Sequence, residues 1–291
     1  MANPVCLSPL KFYDDVAKQS HRKSYANGHI SPLFTKLHWL PAFQFIIPNY
    51  LFRNLTQVYL YNAKTDKVIG GNRKNDLNNA GFSIITEGGY KIATFMPHPD
   101  YPVFTDVGEG LYYLKLASSN EIWVYYSEVF CFTEITKDLL EIEYWNETGS
   151  FVIKNGLVSF SNNFHFTLLL KSELGKPEYS FEEESTKRLG YAFIESQVSK
   201  KIYKFNTVIP EFICDAMRII RLCDNKIIRS YKDEYDATSF EMEAEWQTQG
   251  DLASVNCEFE TDNVVVNLGG FIPNRLGGDF NNDHNADFDN E

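Results

Sequence analysis

Residues 240–246 and 252–259 alternate apolar and polar side chains at every step, and few folds accept such a pattern. In the first run Phe240, Met242, Ala244 and Trp246 share one face, with Glu241, Glu243 and Glu245 opposite. In the second, Ala253, Val255, Cys257 and Phe259 alternate with Ser254, Asn256 and Glu258. Successive side chains of an extended strand point to opposite faces, so a period of two predicts a pair of half-buried antiparallel strands. Gln247-Thr248-Gln249-Gly250-Asp251 joins them. Upstream, residues 202–208 read as another strand, and Pro210 suits the first position of a helix over residues 211–224. Its apolar stripe is Ile213, Ala216, Met217 and Ile220. Glu211 lies near the positive end of the helix, and Arg218 and Arg221 near the negative end. One helix among strands is expected to cover a face or an edge of a sheet.

The same logic extends through most of the chain. Residues 42–47, 58–61, 82–85, 90–96, 111–116 and 122–132 read as strands, separated by turn-like segments such as Glu87-Gly88-Gly89 and Ser118-Ser119-Asn120. The 17 Tyr and 23 Phe, against 4 Met, suit pleated and half-buried surfaces. Short strands at this spacing predict a two-sheet sandwich over residues 38–135. Thr136-Lys137-Asp138 reads as a join, after which residues 140–145, 151–154, 157–160 and 164–170 are predicted strands. Residues 171–190 read as a long charged loop. The predicted organisation is an N-terminal arm (1–37), a β-sandwich (38–135), an α+β module (136–268) and a disordered acidic tail (269–291). Within the arm, residues 11–20 read as a short helix. Its apolar residues Leu10, Phe12, Tyr13, Ile30, Leu33 and Phe34 are too few for a core and are expected to pack on a neighbour.

Charge and cysteine usage narrow the function classes. The formal net charge of −12 argues against a partner bound through nucleic-acid phosphates, which need a basic surface. The five cysteines include no Cys-x-x-Cys pair and are expected as buried free thiols. No segment approaches the ~18 apolar residues of a membrane span, and no basic-then-apolar leader is present. Synthesis and folding in the cytoplasm are expected.

Candidate sites are few. Asp279-Phe280-Asn281-Asn282, Asp283-His284-Asn285-Ala286 and Asp287-Phe288-Asp289-Asn290 form a four-residue repeat. Its first positions mimic a calcium loop, but His284 stands where the sharp turn needs glycine and Asn290 where a bidentate Glu is required. The repeat is therefore read as a partner-binding peptide carried by Asp279, Phe280, Asp283, Asp287 and Phe288. The run 122–132 is apolar on both faces, with Trp123 and Tyr125 on one side and Tyr126 on the other; it is read as a strand buried on both sides or shared with another subunit. A sugar-stacking platform is the alternative for these aromatics. Glu182-Glu183-Glu184, and Glu141 with Glu143, are read as solvated faces rather than acid–base pairs. The six isolated histidines suggest no metal centre, and no cofactor is expected.

Three blocks resemble a structural protein of phages and prophages of Bacteroides-type bacteria, including crAss-like phages. They are Phe12-Tyr13-Asp14 with His21-Arg22-Lys23; residues 110–132; and a C-terminal block. The last holds Pro177-Glu178-Tyr179, Phe181-Glu182-Glu183-Glu184, residues 210–221, and Glu245-Trp246 through Gly250-Asp251-Leu252-Ala253. Residues 110–116 and 125–130 are similar to the closing hairpin of immunoglobulin-like and fibronectin-like modules. A helix followed by paired strands is similar to the tail-tube-like fold of phage tail proteins, although the long first β module departs from it. The resemblance implies a mainly β chain, an immunoglobulin- or fibronectin-like sandwich followed by a tail-tube-like module with one covering helix. It implies a non-enzymatic tail or head–tail connector component that forms a symmetric homo-oligomer, contacts other virion proteins and resides in the virion. The alternative is a carbohydrate-binding adhesin module that contacts host surface glycans.

Overall fold

The computed structural model describes residues 5–13, 33–47, 55–70, 82–87, 89–97, 104–118, 124–147, 150–153, 156–188, 191–246, 252–262 and 265–268. These residues are mainly β. The first strands are β1 (Val5–Cys6), β2 (Phe12–Tyr13), β3 (Leu33–Lys36), β4 (Phe43–Ile47), β5 (Leu55–Asn62), β6 (Lys67–Gly70), β7 (Phe82–Glu87) and β8 (Tyr90–Phe95). Then come β9 (Gly110–Ser118), β10 (Val124–Ser127), β11 (Phe130–Thr133), β12 (Leu139–Trp145), β13 (Ser150–Ile153), β14 (Gly156–Ser159) and β15 (Phe166–Lys171). The last are β16 (Glu178–Arg188), β17 (Tyr191–Pro210), helix α1 (Glu211–Met217), β18 (Asn225–Arg229), β19 (Glu234–Asp236), β20 (Glu241–Trp246), β21 (Leu252–Glu260) and β22 (Val265–Leu268).

The chain divides into two units. Unit one is Met1–Pro177 with Ile202–Asp262; unit two is Glu178–Lys201 with Asn263–Glu291. In unit one the main path of the largest sheet runs β19-β18-β12-β15-β3-β11-β9-β10-β2, with β5 paired to β9 and β6 to β5. Smaller sheets run β4-β8-β7 and β1-β14-β13, and residues Ile202–Pro210 of β17 pair with β21, which pairs with β20. The described part of the segment read as an arm supplies three strands. β3 lies parallel to β11 on one side and antiparallel to β15 on the other, so one sheet runs through the expected join at Thr136. Burial explains why. Leu33 and Thr35 point inward while Lys36 faces solvent, and a short strand with neighbours on both sides is buried without a core of its own. Phe12–Tyr13, expected as helix, pairs with β10 instead.

The larger of two apolar clusters in unit one takes in Phe43, Phe95, Phe130, Tyr144, Phe166 and Phe259, and a small one gathers Ala63, Tyr113 and Val129. The alternation at 252–259 holds residue by residue, with Ala253, Val255, Cys257 and Phe259 all buried. In β20 the three glutamates face out as expected, but Trp246 at its end is 53% exposed. Helix α1 is shorter than its sequence pattern. It ends at Met217 and passes into a 3₁₀ turn over Ile220–Leu222, while Pro210 takes the cap position with no side-chain cap bond. The stripe Ile213, Ala216, Met217 and Ile220 is buried as predicted. The run 122–132 is two described strands rather than one. Ser127 Oγ accepts from the Leu114 amide and donates to the Glu128 carbonyl, and the side chain thus substitutes for a ladder bond where the chain steps between β10 and β11.

Two polar details hold the layers in register. Gln44 donates through Nε2 to the Ser159 carbonyl at 2.6 Å and accepts from the Ser159 amide at 3.0 Å, so its amide acts as a strand neighbour across sheets. Gly175 donates to the Lys204 carbonyl at 2.9 Å, and a Cβ built at Gly175 would lie 2.9 Å from that oxygen.

Unit two holds β16, residues Tyr191–Lys201 of β17, and β22. β22 pairs antiparallel with β17 from Ser196↔Leu268 to Ser199↔Val265. The segment 171–190, expected as a charged loop, is strand from Glu178. Its glutamates find cross-strand partners that the local sequence does not announce: Lys200 donates to Glu182, Gln197 to Glu183 and Ser196 to Glu184.

Candidate functional site

A cleft of about 520 Å³ opens on one face of the large sheet in unit one. Alternation along β12 builds its floor. Leu140, Ile142 and Tyr144 turn into the core, so Glu141 and Glu143 must share the opposite face. Register supplies their partners. Arg229 on β18 stands across from Glu141, and Glu234 on β19 across from Arg229. Arg229 Nη1 donates to Glu141 Oε1 at 3.0 Å and to Glu143 Oε2 at 2.6 Å, and its Nε donates to Glu234 Oε2 at 2.5 Å. Lys36, at the end of β3, reaches Glu141 Oε2 at 2.7 Å. His165 Nδ1 lies 2.7 Å from Glu143 Oε1, and its ring stacks on Trp145 with centroids 4.2 Å apart.

The electrostatics follow from that packing. Burial alone would raise the Glu143 pKa, but hydrogen bonds from His165 and Arg229 outweigh it and hold the carboxyl below its usual range. Burial would likewise lower the Arg229 pKa, and its bonds to Glu234 and Glu143 raise it instead. Each charge on the cleft floor thus has a partner of opposite sign, with Glu141, Glu143 and Glu234 gathered around Lys36 and Arg229. Glu143 stays ionised at neutral pH, which suits a fixed charge and opposes a proton-donating role.

The wall comes from the turn after β3. Leu37 donates to the Thr133 carbonyl, Trp39 donates to the Lys36 carbonyl, and Thr35 Oγ1 donates to the Trp39 carbonyl at 2.7 Å. His38 sits in the left-handed region at φ 71°, with Nδ1 2.8 Å from the Phe104 carbonyl oxygen. A non-glycine residue there costs free energy and persists only where its surroundings enforce it. The turn sets Trp39 and Pro41 along the cleft, and Pro97, just after β8, lines it as well. Sequence reasoning named Glu141 and Glu143 as an exposed face and missed Lys36, Trp39 and Arg229. No spacing links residues on three strands that far apart; only the β3–β15–β12–β18 order does.

Unit two offers a surface of another kind. Glu183 and Gln197 share a face because they hydrogen-bond at 3.1 Å, and steps of two residues place Phe181 and Tyr179 on it. Ser199 lies two residues from Gln197 and opposite Val265, so Val265 joins that face. Tyr179, Phe181 and Val265 are 62%, 79% and 66% exposed.

Of the residues singled out in the sequence, Asp279, Phe280, Asp283, Asp287, Phe288 and Trp123 lie outside the described residues. Tyr125 packs on Phe45 with centroids 5.4 Å apart, and Tyr126 on Tyr113 at 6.3 Å. They lie on opposite faces of β10 and are not brought together. All five cysteines are free, and burial pushes Cys6 and Cys223 up to about 12 and Cys214 up to about 11. Among the described residues no group of His, Cys, Asp and Glu is disposed to hold a metal, and no helix is long and apolar enough to cross a membrane. In comparisons with known proteins, the chain matches no family model and no curated protein.

Proposed function

We propose that the chain is a non-enzymatic virion structural protein, a phage tail or head–tail connector component that assembles as a symmetric oligomer and docks partner proteins. The observation that carries this reading is the exposed face of unit two. Two aromatic rings and a β-branched side chain stand in solvent on one side of a sheet, and β16 pairs with β17 alone among the described strands. Apolar groups gathered on a face with an open edge mark a surface that another chain covers. The compensated charges of the cleft in unit one, where Glu143 is kept ionised, support binding over acid–base chemistry. The resemblance of Phe181-Glu182-Glu183-Glu184 and its neighbours to phage structural proteins supports the virion setting.

Size-exclusion chromatography with light scattering tests the reading. The parent chain is expected to form a discrete multimer, alone or with its virion partners, and Phe181→Ser is expected to shift it toward monomer without changing its melting temperature. A strict monomer under both conditions overturns the proposal.

A further inference from the structure

The cleft in unit one carries a second reading, independent of assembly: we propose that it is a binding site for a neutral sugar ring, stacked on Trp39. Three observations meet there. Among the described residues the Trp39 ring stacks on no other ring and its indole N–H donates to no acceptor, although its backbone is pinned at both ends by the turn. A partly buried tryptophan normally finds a partner for both its face and its N–H. Next, the turn is held by a left-handed His38, so the ring is presented by a backbone that the surroundings have already fixed.

The floor then selects among ligands. Lys36, Arg229, Glu141 and Glu143 are already paired, and Glu234 on Arg229 brings the network to three carboxylates against two cations. An anion that reached Arg229 would face Glu141, Glu143 and Glu234 around the same guanidinium, and like charges repel it. A cation would have to displace Arg229 or Lys36 from the carboxylates, which breaks a charge-assisted bond. A hydroxyl both donates and accepts, so it joins the network without breaking it. Capacity remains for it: Arg229 bonds through Nε and Nη1, which leaves Nη2 without a partner among the described residues, and Thr167 on β15 lines the same cleft. A sugar ring offers an apolar C–H face to the indole and a rim of hydroxyls to the floor. The cleft volume of about 520 Å³ falls within the range of small-molecule sites.

Saturation-transfer NMR on the full chain tests this, with methyl glycosides of glucose, galactose, mannose and N-acetylglucosamine, methyl glucuronide, and adenosine and uridine as comparators. At least one neutral glycoside is expected to receive transfer at millimolar concentration, strongest on its ring C–H protons, with the glucuronide weaker. Trp39→Ala should weaken that binding by at least about tenfold, Trp39→Phe should retain part of it, and Trp246→Ala should leave it unchanged. The Phe variant keeps an aromatic wall and guards against reading a folding defect as lost binding. The inference is overturned if no neutral glycoside receives transfer, if binding survives Trp39→Ala in a folded chain, or if glucuronide or a nucleoside binds more tightly. None of these outcomes depends on the oligomeric state.

Discussion

Among the strands that carry glutamates in close succession, β12 and β16 lie in different sheets, and the two sheets treat them differently. On β12, Glu141 and Glu143 lie on one face, nearly enclosed, each held by a cation from another strand. On β16, Glu182, Glu183 and Glu184 alternate between faces and remain exposed, with Lys200, Gln197 and Ser196 as their partners. A carboxylate costs most where water is scarce, so the first pair requires compensation and the second run tolerates its absence. The lesson concerns neighbours. Identical side chains become a buried ionic network or a solvated edge according to what stands across the sheet.

The sharpest way to break that contrast is Arg229→Ala. It leaves Glu141 with Lys36 alone and Glu143 with His165 alone, and the loss of two charge-assisted bonds at a half-buried site should cost about 2 kcal/mol. Urea unfolding checks this, and a loss below about 1 kcal/mol would place the network on a par with a surface pair. Acid sensitivity comes next. The Glu143 pKa is lower in the folded chain than in the unfolded one, so its stabilising contribution is complete above the ordinary carboxylate range and is lost as pH falls through the folded value. Glu143→Gln should therefore remove about 1 kcal/mol at neutral pH and flatten the acid limb of stability against pH below about 4.3. Unfolding curves at pH 7 and pH 3.5 separate the two slopes, and parallel acid limbs would exclude the assignment.

The opposite face of β12 sharpens the comparison from the other side. The Tyr144 hydroxyl is buried and has no hydrogen-bond partner among the described residues, and burial raises its pKa well above the usual value. Tyr144→Phe should be neutral or stabilising by up to about 1 kcal/mol, since it removes an unsatisfied polar atom from the core. A thermal melt decides it, and a clear loss of stability would mean that the hydroxyl has a partner after all. The smallest effect is expected in unit two. Lys200→Ala removes a 2.9 Å contact to an exposed Glu182 and should change stability by no more than about 0.5 kcal/mol, an effect that added salt should erase.

Strands were legible where side chains alternate and stay in one environment. Residues 252–259 and the stripe Ile213, Met217 and Ile220 landed as the pattern requires, because a half-buried element writes its two environments into its own period. Three features resisted reading for physical reasons. β3 is four residues long, and it carries β11 and β15 on its flanks only because both present open edges to it. β16 is too charged to look like a strand until Lys200 and Gln197 stand beside it. The step between β10 and β11 depends on a serine hydroxyl, Ser127, that borrows the Leu114 amide from a neighbouring strand.

Local periodicity therefore sufficed for the mainly β character, for most strand positions and for the inward faces, since each depends on residues close in sequence. The cleft, its compensated charges and the aromatic face of unit two depend on which strands stand side by side. That order is set by long-range hydrogen-bond register and shared burial, in which Lys36, Glu141 and Arg229 meet from three distant segments. No local rule of alternation reaches across such distances, and the chemistry of the site is consequently a property of the assembled sheet.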